Sequence, residues 1–337
     1  MPTKLVYTNP GNPVEVLHTE EYDMPEIESN EVLVQMMAAS VNPVDINIVQ
    51  GKYPFKFDNA GFEGVGKVIK LGSEVQKVQI GSIIVPTTYA GTWRTHLTIR
   101  EDDILPLPKD IGIPEAATFF VNPATMYRLL KDFVDLKPGD TVLQNGANSA
   151  CGIVAIQLCK AWGFKSINVV RDRPNIEELK NFLKSIGATY VFTEKEIKET
   201  DIFKTGQVAN PKLGLNCIGG ESANTILRHL SGEGVLVTYG GMSLEPIRVS
   251  TTTLVFKNVK LEGFNLNKWF NTPENEHKKP EMFKTLIDLV MRGELKAPPY
   301  VLVDFSNFKE AMSNTLSKDG MIGKKYILDF RGFKSKF

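Results

Sequence analysis

The sequence predicts an α/β protein of two domains, a mostly antiparallel β domain and a doubly wound parallel sheet, and three observations carry that prediction. From Thr141 to Arg173 the chain reads TVLQNGANSACGIVAIQLCKAWGFKSINVVRDR: a β-prone run, a small-residue turn, helical apolar spacing and a second apolar run. Residues 1–116 hold short β-prone runs (KLVY, VEVLHTEEY, EVLVQMMAASV, GVGKVIKLG, SIIVPTT) punctuated by Gly and Pro. From about Pro299 short strands return in YVLVDF and KKYILDF, around a helical FKEAMSNTL. The chain is therefore expected to leave the β domain, build the parallel sheet over 117–298, and come back over 299–337 to complete the first domain. The cleft between the domains is the expected active site.

Whole-chain properties narrow the function classes. At 337 residues there is ample core for two domains. Zero net charge and a near-neutral pI give no footprint for nucleic acid or an anionic membrane. No apolar run approaches the roughly 20 residues needed to span a bilayer. Cys151, Cys159 and Cys217 are too few and too scattered for a disulfide framework, which fits a reducing compartment. The opening MPTKLVYTNPG runs straight into a strand-like segment, so any targeting peptide is expected to be absent or already removed.

Between the two domains, AATFFVNPATMYRLLKDFVDLKPGD (Ala116–Asp140) reads as helical, with Pro123 near a helix N-terminus, where its missing N–H costs little. After the 141–173 unit come a helix at IEELKNFLKSIGA, a strand at TYVFT and a strand at GLNCIG. A helix over Ser222–Leu230 and the strands GVLVTYGG and VKLEGFN follow. Such alternation implies parallel strands with right-handed crossovers.

The 141–173 unit has the order of a dinucleotide-binding βαβ element, with the helix N-terminus offering N–H groups and a positive dipole end to a pyrophosphate. Its glycine pattern keeps Gly146 and Gly152 but has Ala150 and Cys151 between them. A methyl at Ala150 requires negative φ there. Where an NAD-binding chain presents an acidic residue to the ribose, the second strand here ends in Arg171, Asp172 and Arg173. Two guanidinium groups suit a 2′-phosphate, so the favoured cofactor is NADPH. A solvated charge cluster, or Asp172 as a ribose ligand for NAD, are the alternatives.

GFEGVGKVIKLGSEVQKVQIGSIIVP, NPVDIN (Asn42–Asn47) and GTWRTH (Gly91–His96) resemble phrases of the medium-chain dehydrogenase/reductase superfamily. Its zinc-dependent members carry a cysteine near NPVD and a histidine in a G-H-E phrase; this chain has Asn42 and Phe62 there, the latter followed by Glu63. Neither is a zinc ligand. The four-cysteine structural lobe is missing, and His18, His96, His229 and His277 have no ligand spacing. No metal is predicted.

Longer phrases narrow the resemblance: NPVDINIVQGKY, GTWRT, VNPATMYRLL, LQNGANSACG, INVVRDRP, LNCIGG and VTYGGM. Over nearly its full length the chain resembles the mitochondrial trans-2-enoyl-CoA/acyl-carrier-protein reductases of type II fatty acid synthesis. The resemblance implies a GroES-like β domain beside a Rossmann domain, and NADPH-dependent reduction of enoyl-CoA or enoyl-acyl-carrier-protein. It further implies a homodimer joined through cofactor-domain strands, at GVLVTYGG or its neighbour, and mitochondrial residence, with the cytoplasm as the alternative. Tyr53 matches the family's proton donor. A phenol with an ordinary pKa of about 10 is protonated at neutral pH and suits donation to the α carbon.

By the same resemblance, Asn122 matches a nicotinamide-side contact, Asn148, Ser149, Ala150 and Cys151 the pyrophosphate loop, and Arg171, Asp172 and Arg173 the 2′-phosphate grip. Tyr239, Gly240, Gly241 and Met242 match the strand-end phrase over the cofactor. Phe264, Asn265 and Leu266 match the segment flanking the nicotinamide, and Lys325 a C-terminal lysine near the cofactor. The family usually has tryptophan where this chain has Asn265, a loss of apolar wall that bears on acyl-chain preference and substrate class. Rival readings are a zinc-free NADPH quinone or enone reductase, which would not need Tyr53, and a catalytically silent NADPH-binding protein.

Overall fold

The short apolar runs of residues 1–116 become strands, and the alternating stretch after Thr141 becomes strands and helices by turns. The computed structural model describes residues 1–52, 59–316 and 323–333. Two units result: one from Met1–Val121 and most of the chain from Lys296 onward, the other from Asn122–Leu295. The first unit begins with β1 (Thr3–Val6), β2 (His18–Glu21), β3 (Glu31–Ser40), β4 (Gly64–Leu71), β5 (Ile83–Pro86), β6 (His96–Arg100) and β7 (Ile104–Leu107). The second holds β8 (Thr141–Gln144), β9 (Lys165–Val170), β10 (Tyr190–Thr193), β11 (Leu213–Asn216), β12 (Val235–Thr238) and β13 (Lys260–Gly263). The chain then returns to the first as β14 (Tyr300–Asp304) and β15 (Lys325–Asp329).

In the first unit β3 is the hub. Its register with β4 shifts between Leu33 and Val34 and again between Met36 and Ala38. Such bulges bend a strand, and β3 pairs with β4, β6 and β15 along its length. The sheet runs β14-β15-β3-β4-β5-β7, antiparallel except for the terminal β14·β15 pair. Leu5, Val34, Trp93, Leu97 and Phe305 are buried in its core.

The second unit is a six-stranded parallel sheet in the order β10-β9-β8-β11-β12-β13. Counted along the chain, that is third, second, first, fourth, fifth, sixth, the doubly wound arrangement of dinucleotide-binding sheets. β8 and β11 are buried at every residue and β9 at all but its first, as expected for strands covered by helices on both faces. At the edge, β13 is exposed at all four residues.

The structure corrects several expectations. VEVLHTEEY is not one strand: Pro13–Val16 form a helical turn, with Pro13 in its first positions and Asn12 Oδ1 accepting from Val14 N at 3.2 Å. The helical stretch from Ala116 is interrupted. One helix spans Ile113–Ala117, the next Val121–Asp132. Thr118 Oγ1 bonds back to Pro114 O at 2.8 Å, and Val121 N donates to the Glu63 carboxylate at 2.7 Å where the second helix starts. Among the described residues no helix is long and apolar enough to cross a membrane.

Candidate cofactor and active site

Order in the parallel sheet reverses between β8 and β11, and the crevice beyond such strand ends is where open α/β sheets bind ligands. Two amides lace this point: Asn145 Nδ2 donates to Asn216 Oδ1 at 2.8 Å, and Cys217 N donates to Asn145 Oδ1 at 2.9 Å. The turn after β8 needs its glycines. Gly146 has φ 57°, and a Cβ there would lie 2.7 Å from Cys217 Sγ. At Gly152 a Cβ would stand 2.5 Å from Ala147 O, a backbone atom with little freedom to move. Ser149 caps the helix Ala150–Ala161, its Oγ accepting from Gly152 N at 3.1 Å. Ala150 is not among the residues with positive φ, so its methyl is accommodated. Asn148, Ser149, Ala150 and Cys151 thus form a half-exposed rim at a helix N-terminus.

A polar cluster from three distant segments lies beside that rim. Cys151 Sγ donates to Asn122 Oδ1 at 3.1 Å. Asn122 is 6 % exposed, and its buried Nδ2 has no hydrogen-bond partner. The Tyr239 hydroxyl is also buried without a partner meeting hydrogen-bond geometry; burial first, then nearby Cys217 and Cys151, hold this phenol well above its ordinary pKa, so it stays a proton-bearing donor. Burial pushes the Cys217 thiol up to about 11. Orphaned buried donors carry a desolvation cost of about 1–3 kcal/mol each, which a ligand carbonyl or amide would relieve.

Arg171 and Asp172 are exposed and Arg173 half-exposed, just past the end of β9. Arg173 N donates to Asp172 Oδ1 at 2.9 Å. Burial and then the like charge of Arg171 depress the Arg173 guanidinium. Past β12, Tyr239 N bonds Asn216 O at 3.0 Å and Met242 N bonds Cys217 O at 3.0 Å, which holds the Tyr239–Met242 turn over the end of β11. Gly240 approaches the Cys217 backbone closely, whereas Gly241 faces open space and Met242 is exposed.

Phe264 continues from β13, its N bonded to Thr238 O at 2.9 Å and its ring edge-on to Phe133. Asn265 is exposed and caps the helix Leu266–Phe270, its Oδ1 accepting from Lys268 N at 2.8 Å. Its amide thus has a structural task that tryptophan could not perform. The helix is pinned by buried Trp269, whose Nε1 donates to Asp132 Oδ2 at 3.0 Å and whose ring stacks on the Arg128 guanidinium.

Lys325 belongs to the first unit. It is 5 % exposed; its Nζ donates to Asn42 Oδ1 and lies 3.9 Å from Glu63 Oε1. Glu63 Oε1 also accepts from Ser40 Oγ at 2.8 Å and Asn42 Nδ2 at 3.0 Å. Asp45 accepts from Asn42 N at 2.7 Å at the start of the helix Pro43–Val49; burial raises its carboxyl to about 7 against the pull of the Asn42 amide and the Lys325 charge. Sequence reasoning missed Asp45, Cys217 and the ionic partners of Lys325, because all three depend on contacts distant along the chain. Tyr53, four residues past that helix, lies outside the described residues.

Comparison with known proteins decides the family. The zinc-binding dehydrogenase family model matches residues 150–291, and the alcohol dehydrogenase GroES-like domain model matches 28–109. The mitochondrial enoyl-[acyl-carrier-protein] reductase of Rattus norvegicus is 42 % identical over 323 residues, covering 93 % of this chain and 85 % of its own. The chain belongs to the enoyl-[acyl-carrier-protein] reductase family. Among solved structures, the complex of Etr1p with NADP and crotonyl-CoA matches with a TM-score of 0.88 at 32 % identity, over 98 % of this chain and 99 % of that one. The mitochondrial 2-enoyl thioester reductase Etr1p/Etr2p heterodimer of Candida tropicalis matches with the same TM-score, identity and coverage.

Zinc does not fit this member of the enoyl reductase family. Asn42 is engaged by Lys325 and Glu63, Phe62 offers no ligand atom, and the cluster already holds an ammonium charge. Among the described residues no group of three or more His, Cys, Asp or Glu could hold a metal.

Proposed function

We propose that this protein reduces trans-2-enoyl thioesters to saturated acyl thioesters with NADPH, as enoyl-CoA or enoyl-acyl-carrier-protein in type II fatty acid synthesis. The observation that carries the reading is the arginine pair closing β9 beside a glycine turn and a capped helix. It is a phosphate-seeking end on a chain that aligns throughout with an NADP and crotonyl-CoA complex. Arg171 and Arg173 would grip the 2′-phosphate, with Asp172 turning the chain between them. The amides of Asn148, Ser149, Ala150 and Cys151 would receive the pyrophosphate at the helix start. Asn122 Nδ2, a buried donor without a partner, suits a carboxamide oxygen, and the Tyr239–Met242 turn and Phe264–Leu266 would flank it. Lys325, held by Asn42 and Glu63, is proposed as the C-terminal lysine that contacts the cofactor.

The bound nucleotide supplies a hydride for the β carbon. Tyr53 gives its phenolic proton to the α carbon, directly or through water, and is expected to be protonated at neutral pH. The proposed domain limits are 1–116 with 299–337 for the catalytic domain and 117–298 for the NADPH domain.

A homodimer is proposed on the β13 edge. Its four residues are exposed, and Leu254, Val255 and Phe256 on the adjoining helix Thr251–Lys257 stand in solvent, Phe256 at 82 %. An open strand edge beside an exposed apolar helix face invites a second copy. β12, the strand expected from sequence, lies inside the sheet, so its neighbour takes this role. Mitochondrial residence is proposed from the names of the rat and Candida relatives. The test is steady-state NADPH oxidation across enoyl-CoA chain lengths, with NADH and a quinone for comparison. Turnover of crotonyl-CoA with NADPH well above both comparators supports the reading; turnover of quinone alone would replace it with the quinone reductase reading.

A further inference from the structure

We propose that Cys151 is a modification site: a thiol at the mouth of the cofactor cradle to which conjugated carbonyl electrophiles add, closing the cradle to the nucleotide. The inference rests on the proposed NADPH site and assigns its vulnerability. Of the three cysteines, Cys159 and Cys217 are buried, and burial pushes their thiols up to about 12 and 11, so both are protonated and shielded. Cys151 is half-exposed, the second residue of the 12-residue helix Ala150–Ala161. That places its sulfur in the first helical turn, on the rim proposed to receive the pyrophosphate.

The second observation is Asn122, more than nine-tenths buried and aimed at this sulfur. Its Oδ1 accepts from the thiol at 3.1 Å, while its Nδ2 is buried without a partner. That orphaned Nδ2, on the amide that touches the sulfur, is a donor for the carbonyl oxygen of an electrophile docked there. The Tyr239 phenol, held well above its ordinary pKa by burial first and then by Cys217 and Cys151, keeps its proton and is a second buried donor without a partner. A half-exposed thiol with buried donors nearby can meet a conjugated carbonyl compound whose oxygen those donors hold.

The step balances without an oxidant. The thiolate sulfur bonds to the β carbon of an α,β-unsaturated carbonyl compound, and the C=C electron pair moves to the α carbon. The proton lost from the thiol ends there. No group leaves. The adduct sits within the Asn148–Cys151 rim, where the pyrophosphate is proposed to bind. A loaded cradle shields the sulfur.

The experiment uses the full chain and N-ethylmaleimide as the conjugated carbonyl probe, with intact mass and peptide mapping as readout. NADPH binding by untreated protein is measured first; failure there would overturn the cofactor assignment and the shielding with it. Labelling is expected on Cys151 alone, slowed about tenfold by NADPH at ten times its Kd, since only the free fraction reacts. Singly labelled protein with unchanged far-UV circular dichroism should bind NADPH about 10–100-fold more weakly, the scale of a steric overlap. Cys151→Ser should take up no label, and its NADPH binding should not change on treatment. Asn122→Asp, which removes the N–H donor, should label more slowly. Labelling at Cys159 or Cys217 in preference to Cys151, no protection by bound NADPH, or an adduct that binds NADPH normally would each overturn the proposal.

Discussion

Replacing Arg173 with alanine tests how the chain chooses its nucleotide. Arg173 is half-exposed past β9, and Arg171 beside it is exposed and close enough for its charge to depress Arg173. A charged hydrogen bond is worth about 1.5–3 kcal/mol, and exposure brings this toward the lower end. The expected rise in KM for NADPH is therefore about 10–30-fold for either single variant, with the KM for NADH nearly unchanged. The double variant should lose most of the discrimination. The assay is initial-rate NADPH and NADH oxidation with crotonyl-CoA at saturation. Equal losses for the two nucleotides would refute the 2′-phosphate role.

Gly152→Ala places a methyl 2.5 Å from Ala147 O and should destabilise by about 1–3 kcal/mol in urea unfolding. Gly241→Ala, where a Cβ meets nothing within 4 Å, should stay within about 0.5 kcal/mol of the parent. Asn265→Ala should lower stability by about 1 kcal/mol through loss of the cap on Leu266–Phe270, while Asn265→Asp keeps it; equal melts for both would contradict the capping role. Asp45 has its carboxyl raised from 3.8 to about 7, so between those values the folded state holds a proton the unfolded chain has lost. Stability from this group is therefore full below about pH 4 and lost as pH rises through about 7. Asp45→Asn should flatten that fall in chemical denaturation from pH 5 to 8; an unchanged slope would show that Asp45 does not titrate there.

Much of the second unit was legible because its signals are local. A β-prone run, a glycine turn, a helical period and an arginine-terminated strand occupy one window, and the structure forms each within a few residues of its expected bounds. Strand order was not legible, because parallel neighbours separated by helices carry no pairing code in their own residues. The resemblance named Asn122, Cys151 and Tyr239 singly, but the same limit hid that they cluster once β8, β11 and β12 align. Asn42 and Lys325 stand 283 residues apart in sequence, so no spacing rule links them. Asn265 is different. Set four and five residues ahead of apolar Trp269 and Phe270, it carries a helix-start signal, whereas the missing indole points to the substrate wall. VEV misled for a local reason, because Asn12-Pro13 starts a helical turn more strongly than three β-tolerant residues extend a strand.

The most direct measurement of the central claim is the single-turnover rate of crotonyl-CoA reduction by Tyr53→Phe with NADPH prebound. If the phenol protonates the α carbon while the second unit holds the nucleotide, that rate falls by about 10²–10⁴. NADPH affinity then stays at the parent value. A rate close to that of the parent, or a parent protein that binds NADPH and never oxidises it with any enoyl thioester, would contradict the account.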